Sequence, residues 1–149
     1  MDIVINDISE EFLSQNVDSF IEILHRVPYE YWVRDNFLKS LPYKYKLSIY
    51  ATTYGQIVGY IIASRKKTIA YIHKFMVKKE YRNLQVGKRL QIEFEEKVKE
   101  NGLKTISLSV IKTNSDAIRF YEKNGYTMEQ LKTDHVNKLE LILMKKDLI

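Results

Sequence analysis

The order of three segments in the second half of the chain narrows the fold more than any other feature. An apolar, β-rich run covers Thr68 to Val77. A helical pattern follows from about Gln85 to Glu100 and stops at Asn101-Gly102, and a second β-rich run covers Thr105 to Ile111. Strand, helix and strand in that order form a crossover unit. Its two strands lie parallel in one sheet, because the helix returns the chain to the end where it started. Such a unit sets a helix N-terminus beside strand ends, where free N–H groups and the positive end of the helix dipole attract anions.

The flanking segments read as the rest of an α/β (α+β) domain. Met1 to Asn6 alternates enough to predict a short first strand. Ile8 to His25 predicts a helix, with Phe12, Leu13, Val17, Phe20, Ile21 and Leu24 spaced to share a face and Pro28 just beyond. Tyr29 to Leu41 predicts a second, shorter helix before Pro42. Lys46 to Thr53 and Ile57 to Ser64 flank the turn Tyr54-Gly55-Gln56, which predicts a hairpin and, with Thr68 to Val77, three neighbouring antiparallel strands. After the crossover unit come a helix from Ser115 to Lys123, stopped by Asn124-Gly125, and two strands, about Tyr126 to Leu131 and Lys138 to Lys145. The expectation is a mixed, mostly antiparallel sheet of about seven strands with about four helices.

Composition enters by exclusion. At 149 residues the chain is expected to be a single domain, residues 1–149, with one sizeable core. The absence of cysteine removes disulfides, thiolate metal sites and a cysteine nucleophile, and His25, His73 and His135 show no metal-ligand spacing, so no metal is expected. No apolar run is long enough to span a membrane, and the start MDIVINDISEEF lacks the basic and apolar regions of a secretion signal, so a cytoplasmic protein is expected. The net charge of +5 is spread along the chain without a basic arm, which reads as a solvated surface and disfavours a nucleic-acid partner.

The stretch YRNLQVGKRLQIEF, Tyr81 to Phe94, puts Gly87 in the first turn of the crossover helix. A glycine there costs roughly 1 kcal/mol relative to alanine. Two readings explain it. A bare backbone lets a phosphate or pyrophosphate approach the helix N-terminus, with Arg82 and Lys88 adding charge, or the glycine relieves helix packing.

The stretches FMVKKEYRNLQVGKRL and NSDAIRFYEKNGY together resemble the GNAT superfamily of N-acetyltransferases. The family's acetyl-CoA loop, Arg/Gln-x-x-Gly-x-Gly/Ala, maps to Arg82, Gln85 and Gly87. Its later motif, Asn-x-x-Ala-x-x-x-Tyr-x-x-x-Gly-Phe/Tyr, maps completely to Asn114, Ala117, Tyr121, Gly125 and Tyr126. Gln85 departs from the usual glycine and Lys79 from a frequent proline. The resemblance implies a sheet splayed between its fourth and fifth strands with acetyl-CoA wedged in the split. The backbone of Phe75, Met76 and Val77 would pair with the pantetheine arm, and the N–H groups of about Gln85, Val86, Gly87 and Lys88 would cradle the pyrophosphate. Asn114 would bond near the cofactor arm and Tyr121 would lie near the sulfur. Because a residue other than glycine disfavours positive φ, Gln85 is expected to pass the phosphates in ordinary backbone geometry.

The implied activity is acetyl-CoA-dependent N-acetylation of a primary amine on a small molecule or protein, by direct transfer. A non-catalytic acyl-CoA-binding module of the same fold is the alternative, and a homodimer is left open. Direct transfer needs a neutral amine, a donor to the developing oxyanion and an acid for the leaving thiolate. Backbone N–H groups near Met76 and Val77 suit the oxyanion. Tyr121 is the acid candidate, or else a buried packing aromatic. Some branches of the family carry a glutamate base on the fifth strand where this chain has Ser109. His73, expected to share a strand face with Tyr71, is then the remaining side-chain base, with a structural histidine or a water chain ordered by Ser109, Tyr71 and His73 as the alternatives. The acceptor is expected opposite the cofactor, between Tyr29 to Tyr45 and the last two strands. There Tyr29, Tyr31, Trp32, Phe37, Tyr43 and Tyr45 either line a pocket or pack the helices, and Glu30 or Asp35 attracts a cationic amine.

Overall fold

The computed structural model describes residues 1–148. In chain order the elements are β1 (Val4–Asp7), α1 (Glu10–His25), α2 (Arg34–Leu38), α3 (Lys44–Leu47), β2 (Ile49–Thr53), β3 (Gln56–Lys66), β4 (Ile69–Val77), α4 (Val86–Glu100), β5 (Thr105–Ile111), α5 (Ser115–Lys123), β6 (Thr127–Asp134) and β7 (Leu139–Asp147). The strands form one seven-stranded sheet in the order β1-β2-β3-β4-β5-β7-β6. All neighbours are antiparallel except β4 and β5, the parallel pair that the crossover unit required. No helix is long and apolar enough to cross a membrane among the described residues.

Each face of the sheet carries its own core. On one side α1 and α2 bury Leu13, Val17, Phe20, Leu24 and Phe37 against Tyr60 and Ile62 of β3. On the other, α4 buries Val86, Leu90, Phe94 and Val98 against Val58, Ile61, Ile72 and Ile106. Each fully buried side chain of this size is worth roughly 1.5–3 kcal/mol. The periodicity of α1 and α4 produced these faces, and Ser9 starts α1 by accepting the Phe12 N–H at 3.0 Å. Gly59 makes the second core possible in a way the sequence did not signal. A Cβ there would stand 2.9 Å from the Met76 carbonyl oxygen and 3.1 Å from Leu90 Cδ1, so only glycine lets α4 lie this close to β3.

The chain between α1 and β2 departs from expectation. The helix predicted over Tyr29 to Leu41 shrinks to α2, because the chain is extended at Val33, whose N–H bonds Asn36 Oδ1 at 2.9 Å, and because it stops at Lys39. The Lys44 side chain folds inward and donates to the carbonyls of Phe37 and Lys39, satisfying orphan groups at the α2 terminus. The strand predicted from Lys46 starts instead at Ile49, since Lys44 to Leu47 form a helical turn that drives Leu47 into the core.

A bulge in β4 decides which face of the sheet each later side chain of that strand joins. Ile72 pairs with Ala63 and Lys74 pairs with Ile62, leaving His73 as the extra residue. The alternation therefore resets: Ala70 and Ile72 face the α4 core before the bulge, and Phe75 and Val77 face it afterwards.

Candidate active site

The splay follows from strand pairing. β4 pairs with β5 only from Ile69 to Ile72, opposite Thr105 to Leu108. Beyond that row the C-terminal half of β4 stays bonded to β3 through Tyr60↔Met76 and Gly59↔Val77, while Ser109 to Ile111 stay bonded to β7. The facing edges of Phe75–Val77 and Ser109–Ile111 are left without each other, which is an open main-chain edge of the kind an extended ligand can pair with.

At the mouth of this gap lies the start of α4. Arg89 N–H bonds the Gln85 carbonyl as the first intrahelical bond, so the N–H groups of Val86, Gly87 and Lys88 have no partner within the helix, and no side chain caps them. Gln85 sits at φ 72°, in the left-handed region, as does Asn83 at φ 62°. The expectation of ordinary backbone geometry at Gln85 is thus corrected. The loop keeps the turn that glycine usually supplies, at a cost of roughly 1–2 kcal/mol for a residue with a Cβ. Gly87 has a packing role: a Cβ there would stand 3.3 Å from Phe120 Cε1 and 3.8 Å from Val77 Cγ2. The bare first turn lets α4 approach α5 and the end of β4, and the same bareness leaves its N–H groups open. Arg82 turns back so that Nε donates to the Val77 carbonyl at 3.2 Å, tying the loop to β4. Lys88 is exposed.

Asn114 caps α5, its Oδ1 accepting the Ala117 N–H at 3.2 Å. Its side-chain oxygen is therefore committed to the helix, leaving the Nδ2 donor. Tyr121 is buried in an aromatic cluster, with ring centroids 6.1 Å from Phe75, 5.5 Å from Phe120 and 5.3 Å from Tyr126. Burial pushes its pKa well above the ordinary tyrosine value, and the charge of Glu30 adds to the rise, so the phenol stays protonated. Its hydroxyl has no protein hydrogen-bond partner among the described residues. Tyr126, in contrast, accepts from Gln91 Nε2 at 2.8 Å.

His73 faces the α1 side. The expected neighbour is there: the Tyr71 and His73 ring centroids are 5.0 Å apart, and Tyr71 donates to Ser109 Oγ at 3.3 Å. The sequence reading missed Ser64, buried, whose Oγ lies 2.7 Å from His73 Nε2. Alternation along β3 carries the signal for it, since Ile62, Ser64 and Lys66 share one face. Burial lowers the His73 pKa to about 4, and the charges of Lys66, Lys44, Lys74 and Lys39 push it the same way. At neutral pH the ring is neutral, and it is a weaker base than an exposed histidine.

Of the two carboxylates singled out on the acceptor side, Asp35 is exposed on α2. Glu30 is mostly buried and ion-paired with Lys74, whose ammonium also lies 5.2 Å from the Trp32 ring centroid. The aromatic stretch divides. Phe37 packs into the core and Trp32 packs against it, with ring centroids 5.1 Å apart, while Tyr29 and Tyr31 are exposed.

The fold has counterparts among known proteins. Among solved structures the chain is similar to Ard1 from Thermoplasma volcanium (23% identity, 100% of this chain and 99% of that one, TM-score 0.88). It is also similar to the ribosomal-protein-S18-alanine N-acetyltransferase of Escherichia coli (18%, 99% and 94%, TM-score 0.83). A third is the PaiA N-acetyltransferase of Thermoplasma acidophilum, solved with coenzyme A (23%, 99% and 99%, TM-score 0.73). At these identities the likeness is one of fold. No curated protein matches the sequence. The model of the acetyltransferase (GNAT) family matches residues 6–126, a span from β1 through the complete second motif. A match over that span places the chain in the acetyltransferase (GNAT) family.

Proposed function

We propose that the protein acetylates a primary amine by direct transfer, with Tyr121 as the acid. The observation that carries this reading is the placement of the Tyr121 phenol, buried beside Phe75 on the strand that borders the splay and with no protein partner for its hydroxyl among the described residues. When bound, acetyl-CoA supplies the activated acetyl thioester. The free edge of Phe75, Met76 and Val77 holds the extended arm, and the N–H groups of Val86, Gly87 and Lys88 receive the pyrophosphate. Arg82 retains donors for the same phosphates, Gln85 adds its side-chain amide, and Asn114 Nδ2 reaches the arm. N–H groups near Met76 and Val77 steady the oxyanion.

On the acceptor side the amine must arrive neutral. The lysines that lower the His73 pKa act in the same direction on an ammonium beside it, so part of the deprotonation comes from the field. The proton leaves through the cluster of His73, Ser64, Tyr71 and Ser109, which supports the hydroxyl and water route more than His73 as sole base. A rate profile controlled by His73 breaks near pH 4 and not near neutrality.

A second reading, a cofactor-binding module without turnover, draws support from Ser109, which accepts from Tyr71 and offers no carboxylate. Two measurements separate them. Acetyl-CoA at about a hundred times its Kd should stabilise the fold by ~2.7 kcal/mol in either case. CoA-thiol release across an amine panel should appear only for the enzyme. Stabilisation with no release from any amine selects the module, and no stabilisation at all rejects both.

A further inference from the structure

The two faces of the splay are not equivalent. Phe75, Val77, Tyr121 and Val86, which surround the cofactor loop and the open strand edge, all belong to the α4-side core. A cofactor held there leaves the α1 side for the approach of the acceptor. That side is covered over only part of its width, because its core is built from α1, α2 and β3 and no residue of β5, β6 or β7 enters it.

The bare part begins at the splay itself. On β5, Val110 points into the α4-side core, so Ser109 and Ile111 point to the α1 side along the edge that β4 leaves open. Their partners on β7 are Leu143 and Leu141, which alternate with the core residues Ile142 and Met144 and so share that face. Ile111, Leu141 and Leu143 are each only partly buried and belong to neither core. Neighbouring strands lie roughly 5 Å apart, which sets the two leucines one strand spacing beyond the β5 edge. A leucine-sized group attached to an amine in the gap spans that distance.

Charge is absent from this floor and confined to its margins. Ser109 Oγ is engaged by the Tyr71 hydroxyl. Across the gap, Glu30 and Lys74 hold each other. On β6, Lys132 and Gln130 pair with Leu141 and Leu143 but are exposed at the outer edge, and Lys145 stands one row farther from the splay than Leu143. A charged group seated on the leucines would lose water without gaining a partner, whereas an aliphatic one would remove their surface and its own from water.

We propose that the acceptor carries an aliphatic or aromatic group next to its amine, and that Ile111, Leu141 and Leu143 receive it. The inference rests on the amine-acetylation reading and names its substrate class. The occupant is the acceptor and not a second copy of the chain, because a copy on this face would close the side from which the amine arrives. The same chemistry can come from an N-terminal residue of a peptide or from a free alkylamine.

The test follows CoA-thiol release with one acceptor series for each source. Peptides of one fixed tail begin with Leu, Ala, Asp or Lys, and unbranched amines from ethylamine to hexylamine are paired with amino alcohols of equal length. In the series that is the true source, kcat/KM should rise about fourfold for each buried methylene, and the Asp, Lys and alcohol members should fall below their apolar matches. Leu141→Ala and Leu143→Ala should each cut the preference for the larger apolar acceptor severalfold, mainly through KM, and Leu143→Met should restore it. Leu131→Ala, on the opposite face of β6 beside Ile142, should leave that preference where it was. A preference for polar or charged acceptors in both series overturns the proposal, as does a preference that neither alanine variant moves. A dimer that Leu143→Asp converts to monomer, with turnover raised equally for all acceptors, assigns the face to a second copy and also overturns it. Should no amine turn over, the acetyl-transfer reading fails by itself, and the floor is judged by calorimetry of N-acetylated Leu and Asp peptides with CoA present. Tighter binding of the Leu form then supports the floor, and equal binding overturns it.

Discussion

At the scale of single residues, burial shifts the pKa of each of the two side chains proposed for proton transfer. Tyr121 packs among Phe75, Phe120 and Tyr126 and has no protein partner for its hydroxyl among the described residues, so Tyr121→Phe preserves the packing and removes only the proton. Turnover is expected to fall by roughly 10²-fold or more, with melting temperature and acetyl-CoA affinity little changed. Turnover within a few-fold of wild type would reduce Tyr121 to a packing residue. For His73 the sign follows from its lowered pKa. The unfolded chain takes up a proton near the ordinary value of 6.5 and the folded chain only near about 4. Stability from a neutral His73 is therefore fully present above pH 6.5 and is lost as pH falls toward 4. His73→Gln should remove that window from the pH dependence of urea midpoints, and parallel curves for the two proteins would contradict it.

At the scale of elements, helix ends hold the tension. The left-handed Gln85 at the start of α4 carries a backbone cost that glycine would not, so Gln85→Gly should leave stability unchanged or raise it by up to about 1 kcal/mol. It should still show an acetyl-CoA melting shift, because the N–H groups of Val86 to Lys88 remain. A loss of stability would mean that the Gln85 side chain holds the loop. At α2 the roles reverse: a buried lysine satisfies the helix terminus. Burial lowers the Lys44 pKa to about 8, against a smaller raising effect of Glu10, yet its amine can donate to the Phe37 and Lys39 carbonyls in either charge state. Lys44→Met removes both donors and should destabilise the fold by roughly 1–3 kcal/mol, read as a lower urea midpoint.

At the scale of the molecule, the main-chain bonds between the two halves of the sheet are those of the short Ile69–Ile72 pairing with β5, while α4 and the packing of Phe75 on Phe120 and Tyr121 join the halves through side chains. A ligand strand in the gap bonds what the fold leaves apart. Acetyl-CoA should therefore slow amide exchange along β4 from Phe75 to Val77 and at the α4 start together, although these segments belong to different elements. Gly87→Asp should abolish both effects, since it sets a carboxylate against the phosphates and crowds Phe120. Slowed exchange at α4 alone would place the arm outside the splay.

The sequence by itself determined the order of the strands and of the longer helices and the parallel β4–β5 pair, while α3 and the division of the expected single core between two sheet faces were not legible in it; the legible features share one basis. These depend on local periodicity, on the stop signals Asn101-Gly102 and Asn124-Gly125, and on motifs contiguous in the chain. It was misleading where tertiary contacts overrode local preference. Gln85 is forced to positive φ by the loop, and Lys44 folds inward to satisfy carbonyls that no pattern marks. Only the tertiary structure brought Ser64 to His73 and Glu30 to Lys74. Those partners lie on different strands or loops, and the His73 bulge, which shifts every later β4 side chain to the opposite face, depends on pairing with β3 and not on the β4 sequence alone.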